Sequence, residues 1–311
     1  MTTRSEQPDM HEHTVLITGA TAGIGYQTAR ALAQRGAQVI ITGRDAGRGE
    51  QAAAAIGSER GHSTVRFLRA DHSTVGGNQA LADRVRAAFP SLDVLVNNVG
   101  GAYATRWETA DGYEATLAIN VVGPFALTAE LVPLLQANAP ARCINVVSAA
   151  YRMCKRDPFE DVQSSERYAG AEAYAHTKLL NMLFTFALAK QLTAERVTVN
   201  AVHPGLSWTQ MTQSMTPETM GFPKPLWPVL RLLQRAGSPV RAGRRVASLA
   251  CSPQLGSYTG EYFTGGTRPK RLSPRELDGA NQERAWQLAA QLVADAPTDR
   301  QAHPTERVVS A

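Results

Sequence analysis

Short apolar runs alternate with longer segments of helical periodicity along almost the whole chain. The runs are rich in Val, Ile and Leu and end at glycine or polar residues, which is typical of buried strands. Strands that alternate with helices in this way form a parallel sheet with helices on both faces. The pattern therefore predicts a doubly wound α/β fold. Its predicted strands span residues 13–18, 38–42, 65–70, 92–96, 143–147, 198–202 and 261–264.

The helical segments have apolar faces that can cover this sheet. Residues 174–192 have apolar positions at helical spacings and neither glycine nor proline, so they predict a long, largely buried helix. Residues 113–120 and 124–136 predict two separate helices. Further helices are predicted at residues 26–35, 46–56, 77–88 and 241–251, and around the apolar face formed by Ala285, Leu288, Ala289, Leu292 and Val293.

Two stretches do not fit the alternation. The residues between Ser148 and Tyr174 are too polar for a strand of the sheet and predict an insert before the long helix. Residues 206–239 are rich in Pro and Met and long for a connection, so we expect a substrate lid with helices of its own. Residues 13–296 are expected to form one domain, with a disordered tail at 1–12 and a flexible tail at 297–311.

The composition is that of an ordinary globular protein. Apolar residues make up 43% of the 311 residues and charged residues 19%. The net charge of +5 is modest and no dense Lys/Arg run contains aromatic residues, so nucleic-acid binding is not expected. The three cysteines suggest neither a disulfide framework nor a metal site, which fits a cytoplasmic protein. A polar start and the lack of an apolar span of about 18 residues predict no membrane anchor.

A glycine-rich turn follows the first strand and opens a helix. Gly19 permits the tight turn, Gly23 lets the backbone approach a pyrophosphate, and Gly25 lets helix and sheet pack closely. The helix N-terminus supplies free N–H groups and the positive end of a dipole for that anion. The arrangement predicts a dinucleotide site in a Rossmann-type fold, with Thr21 and Ile24 among its contacts.

The end of the second predicted strand indicates which dinucleotide is bound. An NAD-preferring site usually has an acidic residue there, which accepts from the ribose 2′-hydroxyl. Here the strand ends at Gly43, and Arg44 follows with a planar donor fork that suits a phosphate. Asp45 is expected to cap the next helix instead. The sequence therefore predicts NADP(H) rather than NAD(H).

A tyrosine and a lysine project from one face of the long predicted helix. Tyr174 and Lys178 are one helical turn apart. A cation about 5 Å away, at an effective dielectric of about 20, favours the phenolate by roughly 3 kcal/mol, or about two pKa units. We therefore expect Lys178 to lower the pKa of Tyr174 and make it a general acid or base. Asn98 and Ser148, which follow other strands, should face the same crevice as Gly19.

These features together resemble the short-chain dehydrogenase/reductase family over about residues 14–293. Residues 159–163, 167–168, 178–185, 203–205 and 273–274, with Trp286, further resemble its retinol dehydrogenase-like group. The family motifs, in order along the chain, are the glycine turn 18–25, Asp71, Asn97-Asn-Val-Gly100, Asn120, Ser148, Tyr174-x-x-x-Lys178 and Pro204-Gly205.

The resemblance implies a role for each of these residues. Tyr174 would exchange a proton with the substrate oxygen, and Lys178 would lower its pKa and bind the nicotinamide ribose. Ser148 would hydrogen-bond the substrate oxygen, and Asn120 would hold a water that links Lys178 to solvent. The other implied cofactor contacts are Asp71 on the adenine side, Asn98, Gly100, Pro204, Gly205 and, at the nicotinamide carboxamide, Thr209.

Three functions are compatible with these residues. The first is NADP(H)-dependent interconversion of a hydroxyl and a carbonyl on an apolar small molecule. The second is a non-redox step on the same scaffold, such as cyclisation, dehydration or epimerisation. The third is a cofactor-binding sensor without turnover, which would not need Asn120, Ser148, Tyr174 and Lys178 together. The oligomeric state, monomer or homodimer, stays open.

Overall fold

A parallel sheet forms the frame of the protein. The computed structural model describes residues 9–59, 64–205, 216–217, 225, 227–266 and 268–297. Within them the strands are β1 (Thr14–Ile17), β2 (Gln38–Gly43), β3 (Val65–Arg69), β4 (Val94–Asn97), β5 (Ala141–Val146), β6 (Val197–Val202) and β7 (Tyr262–Phe263). They lie in the order β3-β2-β1-β4-β5-β6-β7, and every neighbouring pair is parallel. The predicted doubly wound sheet is confirmed.

Helices cover both faces of this sheet. The central strands are buried on both sides: in β1, Val15 and Ile17 pack on one face and Leu16 on the other, all fully buried. The helices are α1 (Gly23–Ala33), α2 (Ala46–Gly57), α3 (Val75–Ala88), α4 (Ala115–Ala137), α5 (Gly170–Leu192), α6 (Trp227–Ala236), α7 (Pro239–Cys251), α8 (Pro274–Leu277) and α9 (Gly279–Ala294). Helices α1, α2 and α7 pack on one face, and α3, α4, α5 and α9 on the other.

Helix α4 is continuous, so the predicted division into helices 113–120 and 124–136 is wrong. It contains a π-helical turn, Ala118–Val122. The second predicted helix began at Pro124, a residue type that lacks an N–H and is usually found in the first turn of a helix. In the structure the wider turn lies directly before Pro124, and the helix continues through it.

Helix α4 is also long and apolar enough to cross a bilayer by length and composition. Its most apolar window has a mean hydropathy of 1.6 and is 67% buried within the protein. The helix packs against the sheet and against α3 and α9. A helix enclosed in this way is apolar on most of its surface, so its composition is that expected of a core helix.

Residues 9–12, which were predicted to lie in a disordered tail, pack against the rest of the protein. Met10 is 3% exposed in the core, and its N–H donates to Arg35 O at 2.9 Å. The His11 ring fills the space beside Gly36, where a Cβ would lie 2.7 Å from it. The predicted disordered tail of residues 1–12 is therefore wrong for residues 9–12, because Met10 has an apolar site to fill.

The insert before α5 is tied to the loop after β4. Tyr168 donates from its hydroxyl to Tyr103 O at 2.9 Å, and Arg106 Nε donates to Gln163 O at 3.1 Å. In the predicted lid, α6 is a helix, as expected. The rest of residues 206–226, apart from 216–217 and 225, lies outside the described residues.

Close packing between α1 and α7 predicts a stability difference between two glycine substitutions. A Cβ on Gly243 would lie 2.6 Å from Gln27 Cβ and 2.8 Å from Thr28 N, so Gly243→Ala should lower the free energy of unfolding by about 1–3 kcal/mol. A Cβ on Gly57, at the end of α2, would meet no atom within 4 Å, so Gly57→Ala should be neutral or stabilising by up to about 1 kcal/mol. Urea denaturation of both variants measures this. Equal effects would contradict the close approach.

Candidate active site

The carboxyl ends of the central strands bring together residues that are far apart in the sequence. Gly19 follows β1, Asn98 follows β4, Ser148 follows β5 and Pro204 follows β6. Neighbouring parallel strands end at the same edge of the sheet. These residues therefore lie around one crevice, where the strand order reverses on either side of β1 and β4.

The glycine turn after β1 fits a dinucleotide pyrophosphate. Gly19 and Gly23 have φ angles of +62° and +61°, which other residues rarely adopt. A Cβ on Gly25 would lie 2.5 Å from Asn98 Nδ2 and 2.8 Å from Gly19 O, so only glycine permits this approach. Helix α1 begins at Gly23 behind Ala22, whose side chain cannot cap its N–H groups. Those groups are therefore free to donate to an anion bound at the turn.

Two polar side chains hold this turn against the sheet. Asn98 Nδ2 donates to Thr18 O at 2.9 Å and to Gly19 O at 3.2 Å. From the other side, Gly19 N–H donates to Thr42 Oγ1 at 3.2 Å. Asn98, predicted as a cofactor contact, therefore acts on the turn itself, and its carboxamide fixes the position of the Gly19 carbonyl.

His72, which was not among the predicted site residues, supports Thr42. Its Nε2 lies 2.7 Å from Thr42 Oγ1, and its Nδ1 lies 2.8 Å from Asn78 Oδ1. Asn78 Nδ2 donates to two main-chain carbonyls, so Oδ1 is the acceptor and His72 donates to it through Nδ1. Burial lowers the pKa of His72, which keeps the imidazole neutral and its Nε2 free to accept from Thr42. The only sequence signal was a polar residue directly after Asp71.

The other predicted residues at the adenine end lie on neighbouring loops. Arg44 is exposed after β2, and a Cβ on Gly43 would lie 2.7 Å from Thr21 Cγ2. Asp45 caps α2, as predicted: its Oδ1 accepts from Arg48 N–H at 2.9 Å, and its carboxylate pairs with Arg48 Nε at 3.2 Å. The carboxylate nearest to Arg44 in sequence is therefore engaged elsewhere.

Asp71 and Ile24 have partners within their own segments. Asp71 Oδ1 accepts from the N–H of Ser73 at 2.9 Å and from its hydroxyl at 2.7 Å. Ile24 is partly buried against the core below α1. Both residues therefore shape the walls of the crevice, and their predicted contacts with a cofactor stay predictions.

Tyr174, Lys178 and Ser148 lie together inside the protein. Tyr174 and Lys178 are 7% and 4% exposed, and Lys178 Nζ lies 5.7 Å from the centroid of the Tyr174 ring. Ser148, just after β5, lies close enough to the Tyr174 phenol to lower its pKa. Helix α5 and the edge of the sheet thus bring three of the four predicted catalytic residues to one place.

Burial raises the pKa of Tyr174, and the nearby Ser148 hydroxyl opposes that rise only in part. The expectation that Lys178 lowers this pKa below its ordinary value is therefore wrong for the protein on its own. The phenol oxygen is removed from water, whereas the ammonium lies over the ring. At neutral pH Tyr174 is consequently a protonated acid.

Lys178 keeps its charge at neutral pH in a tight space. Burial lowers the pKa of Lys178 to about 8, so the amine loses its proton as the pH rises through that value. Its Nζ donates to Val146 O at 3.2 Å. A Cβ on Gly100 would lie 3.0 Å from Nζ and 2.8 Å from Asn120 Oδ1, so glycine is needed between them.

Asn120 is fully buried in the π-helical turn of α4. Its Nδ2 donates to Gly101 O at 2.7 Å and to Thr177 Oγ1 at 3.1 Å, and its Oδ1 accepts from Gly101 N–H at 3.1 Å. The side chain therefore joins α4 to the loop after β4 and to α5. Its predicted role in holding a water stays a prediction.

The loop after β6 is held by a residue that the sequence analysis did not select. Arg245, on α7, donates from Nη1 to Pro204 O at 2.9 Å. Gly205 has a φ of +98°, and a Cβ there would lie 2.5 Å from the same nitrogen. The guanidinium of Arg245 thus holds the predicted turn at Pro204 and Gly205 against α7. Thr209, predicted at the nicotinamide carboxamide, lies outside the described residues.

The chain is similar to proteins of one family over most of its length. The family model described as short chain dehydrogenase matches residues 13–219. Retinol dehydrogenase 12 of Homo sapiens is 39% identical over 284 residues, which are 90% of this chain and 85% of that protein. Retinol dehydrogenase 13 of Mus musculus is 36% identical over 282 residues, 90% and 83% of the two chains. The solved Pseudomonas aeruginosa RhlG/NADP active-site complex is 27% identical, with a TM-score of 0.65 and coverage of 88% and 98%.

The raised pKa of Tyr174 predicts a phenol that stays protonated well above neutral pH. In protein with tyrosine isotope-labelled at Cζ, the NMR resonance that Tyr174→Phe removes should keep its protonated position up to pH ~9. Lys178→Met should leave the midpoint nearly unchanged, because Lys178, with a pKa of about 8, is already neutral at the pH where the phenol titrates. Lys190→Met, which changes an exposed lysine of α5, should leave it unchanged. A wild-type midpoint near neutral pH would contradict the protonated state.

Proposed function

Since the chain belongs to the short-chain dehydrogenase/reductase family and its retinol dehydrogenase-like group, we propose that it reduces a carbonyl on an apolar small molecule with NADPH. Family membership makes it an NAD(P)-dependent oxidoreductase that interconverts hydroxyl and carbonyl groups. The proposal adds the cofactor, the direction favoured at neutral pH, the residues and the class of substrate.

The observation that carries the proposal is a buried, protonated phenol between a hydroxyl and an ammonium. Tyr174 and Ser148 can both hydrogen-bond a substrate oxygen placed between them. Tyr174 would donate its proton as that oxygen gains negative charge, because a general acid must hold its proton at the working pH. The phenolate left behind would lie beside the charged Lys178, which stabilises it. A phenol that is protonated at rest favours reduction over oxidation at neutral pH.

The residues around the glycine turn fit the cofactor that this reaction needs. When bound, a nicotinamide dinucleotide supplies or accepts the hydride. Gly19 and Gly23 would receive its pyrophosphate at the N-terminus of α1, where N–H groups are free to donate. Gly100 and Lys178, adjacent in the crevice, would lie at the nicotinamide ribose.

The loop after β2 supports NADP(H) over NAD(H). Arg44 is exposed beside Gly43, which offers no carboxylate to a ribose 2′-hydroxyl. Asp45 is engaged as the cap of α2 and as the partner of Arg48. A planar guanidinium suits a 2′-phosphate. The NADP complex of the similar Pseudomonas aeruginosa protein is consistent with this assignment.

Exposed apolar side chains on the segments after β4 and β5 and on α6 support an apolar substrate. Trp107 and Met153 are 40% and 46% exposed on the segments that follow β4 and β5, the strands that end beside Tyr174. Val229 and Leu232 are exposed on α6, within the predicted lid. Large apolar side chains left in water at a catalytic edge indicate a surface that an apolar ligand covers.

The direct test is turnover of a graded series of carbonyl compounds. Purified protein is mixed with NADPH and with straight-chain aldehydes and ketones of increasing length, and the NADPH absorbance is followed. We expect kcat/KM to rise with length by up to about fourfold per methylene, because each buried methylene contributes about 0.8 kcal/mol. Sugars serve as the polar control. Absence of turnover with every carbonyl, or a preference for sugars, would contradict the proposal.

Arg44 is predicted to determine the choice of cofactor. A charge-assisted hydrogen bond contributes roughly 1.5–3 kcal/mol, so Arg44→Ala should weaken NADPH binding by about ten- to a hundredfold and leave NADH nearly unchanged. Arg66→Ala is the matched control, since Arg66 is exposed on the neighbouring strand β3 and its guanidinium lies over the Phe89 ring. Fluorescence titration and kcat/KM with both cofactors measure the effect. An enzyme that prefers NADH, or an Arg44 variant that loses both cofactors equally, would show that the assignment is wrong.

A further inference from the structure

The main-chain carbonyl of Asn120 lacks its helical donor. In an α-helix it would accept from the N–H of residue 124, but that residue is Pro124, which has none. The carbonyl lies in the π-helical turn Ala118–Val122, and Asn120 is fully buried. Without the N–H of residue 124, this buried carbonyl has room to accept from a side chain elsewhere in the protein.

Asn181 supplies that donor. Its Nδ2 donates to Asn120 O at 2.7 Å. Asn181 is 3% exposed and lies on α5, three residues after Lys178. Because the group that it faces is a carbonyl, the nitrogen of its carboxamide must point towards Asn120. The bond therefore joins the helix of Tyr174 and Lys178 to the turn of Asn120.

A series of buried amides and hydroxyls anchors Asn181 to the sheet. Thr185 Oγ1 donates to Asn181 O at 2.6 Å. Asn145 Nδ2, on β5, donates to the same hydroxyl at 2.8 Å, and Asn97 Nδ2, on β4, donates to Asn145 Oδ1 at 2.8 Å. Asn181 and Thr185 lie in the segment 178–185 that resembles the retinol dehydrogenase-like group, and no catalytic role above uses them.

We propose that Asn181 is a positioning residue: by holding the Asn120 carbonyl, it keeps Asn120 and the Gly100–Gly101 loop in register with Lys178. The Asn120 side chain bonds both the N–H and the carbonyl of Gly101, so a shift of the π-helical turn moves that loop. A Cβ on Gly100 would lie only 2.8 Å from Asn120 Oδ1 and 3.0 Å from Lys178 Nζ, so even a small shift changes the surroundings of the ammonium. The inference rests on the proposed function, in which Lys178 stabilises the phenolate.

The alternative is that Asn181 only stabilises the fold. Asn200 is the matched control for this alternative, because it is a buried amide with a similar bond away from the catalytic residues. Asn200 is 5% exposed on β6, and its Nδ2 donates to a main-chain carbonyl, that of Tyr258, at 2.7 Å. Its Oδ1 accepts from Glu261 N–H at 3.0 Å. Asn200 therefore holds a main-chain carbonyl of the loop before β7, as Asn181 holds the main-chain carbonyl of Asn120. Asn200→Leu removes a buried amide of the same type without touching the catalytic residues.

The experiment compares Asn181→Leu with Asn200→Leu, using NADPH and a carbonyl substrate that the wild type reduces. Both variants should unfold at lower temperature. Asn181→Leu alone should lower kcat by about tenfold or more, since misplaced catalytic groups cost rate rather than binding, and should leave the Kd for NADPH nearly unchanged. Asn181→Ala, which leaves more space, replaces it if the leucine variant does not fold. A kcat close to that of the wild type, or an equal loss in Asn200→Leu, would overturn the proposal.

Two further measurements separate this inference from the proposed function. The amide of Gly101 should lose protection from hydrogen exchange in Asn181→Leu and keep it in Asn200→Leu, because its acceptor is Asn120 Oδ1. Hydrogen exchange can be measured even if the wild type reduces no carbonyl. That absence of turnover would refute the proposed function but not the role of Asn181. Pro124→Ala restores an N–H for the Asn120 carbonyl, so the double variant should recover part of the lost kcat and protection. Unchanged protection of the Gly101 amide, or no recovery in the double variant, would contradict the proposal that Asn181 acts by holding the Asn120 carbonyl.

Discussion

The structure depends on keeping the ammonium of Lys178 charged while it is buried. Removing an ammonium from water is costly unless polar groups face it, and burial here lowers its pKa to about 8. The end of β5 offers the Val146 carbonyl as acceptor. Gly100 and Asn120 lie on the other side, with no room for a further side chain between them. The ammonium is thereby held beside Tyr174, where a charge is needed only after the phenol has given up its proton.

Neutral polar groups hold the turn at Gly19 and the loop after β4, whereas the guanidinium of Arg245 holds the loop after β6. On the adenine side, Thr42 and the neutral imidazole of His72 fix the turn at Gly19. On the catalytic side, the carboxamides of Asn120 and Asn181 do the same for the loop after β4. Buried amides and hydroxyls impose directional contacts without adding a charge to compete with Lys178. The crevice is therefore rigid at the positions where a cofactor and a substrate oxygen would meet.

The sheet, most helices and the grouping of Tyr174, Lys178 and Ser148 could be predicted from the sequence, because periodicity and strand ends are local signals. The continuity of α4 could not, since Pro124 reads as a helix start unless the turn before it and the donor from Asn181 are known. The direction of the Tyr174 pKa was also predicted wrongly: helical spacing gave the position of the cation but not the depth of burial. Both failures arise from contacts between residues that are far apart in the sequence, which local sequence patterns do not predict.

The central claim is that Tyr174 is the proton donor in a carbonyl reduction, and Tyr174→Phe tests it most directly. The variant keeps the ring and the packing of α5 and removes only the hydroxyl beside Ser148. In single-turnover measurements at neutral pH, we predict that the rate of NADPH oxidation by a carbonyl substrate falls by about 10²–10⁴-fold, the usual contribution of general acid catalysis, while the Kd for NADPH stays the same. A variant that reduces the substrate at close to the wild-type rate would contradict the account.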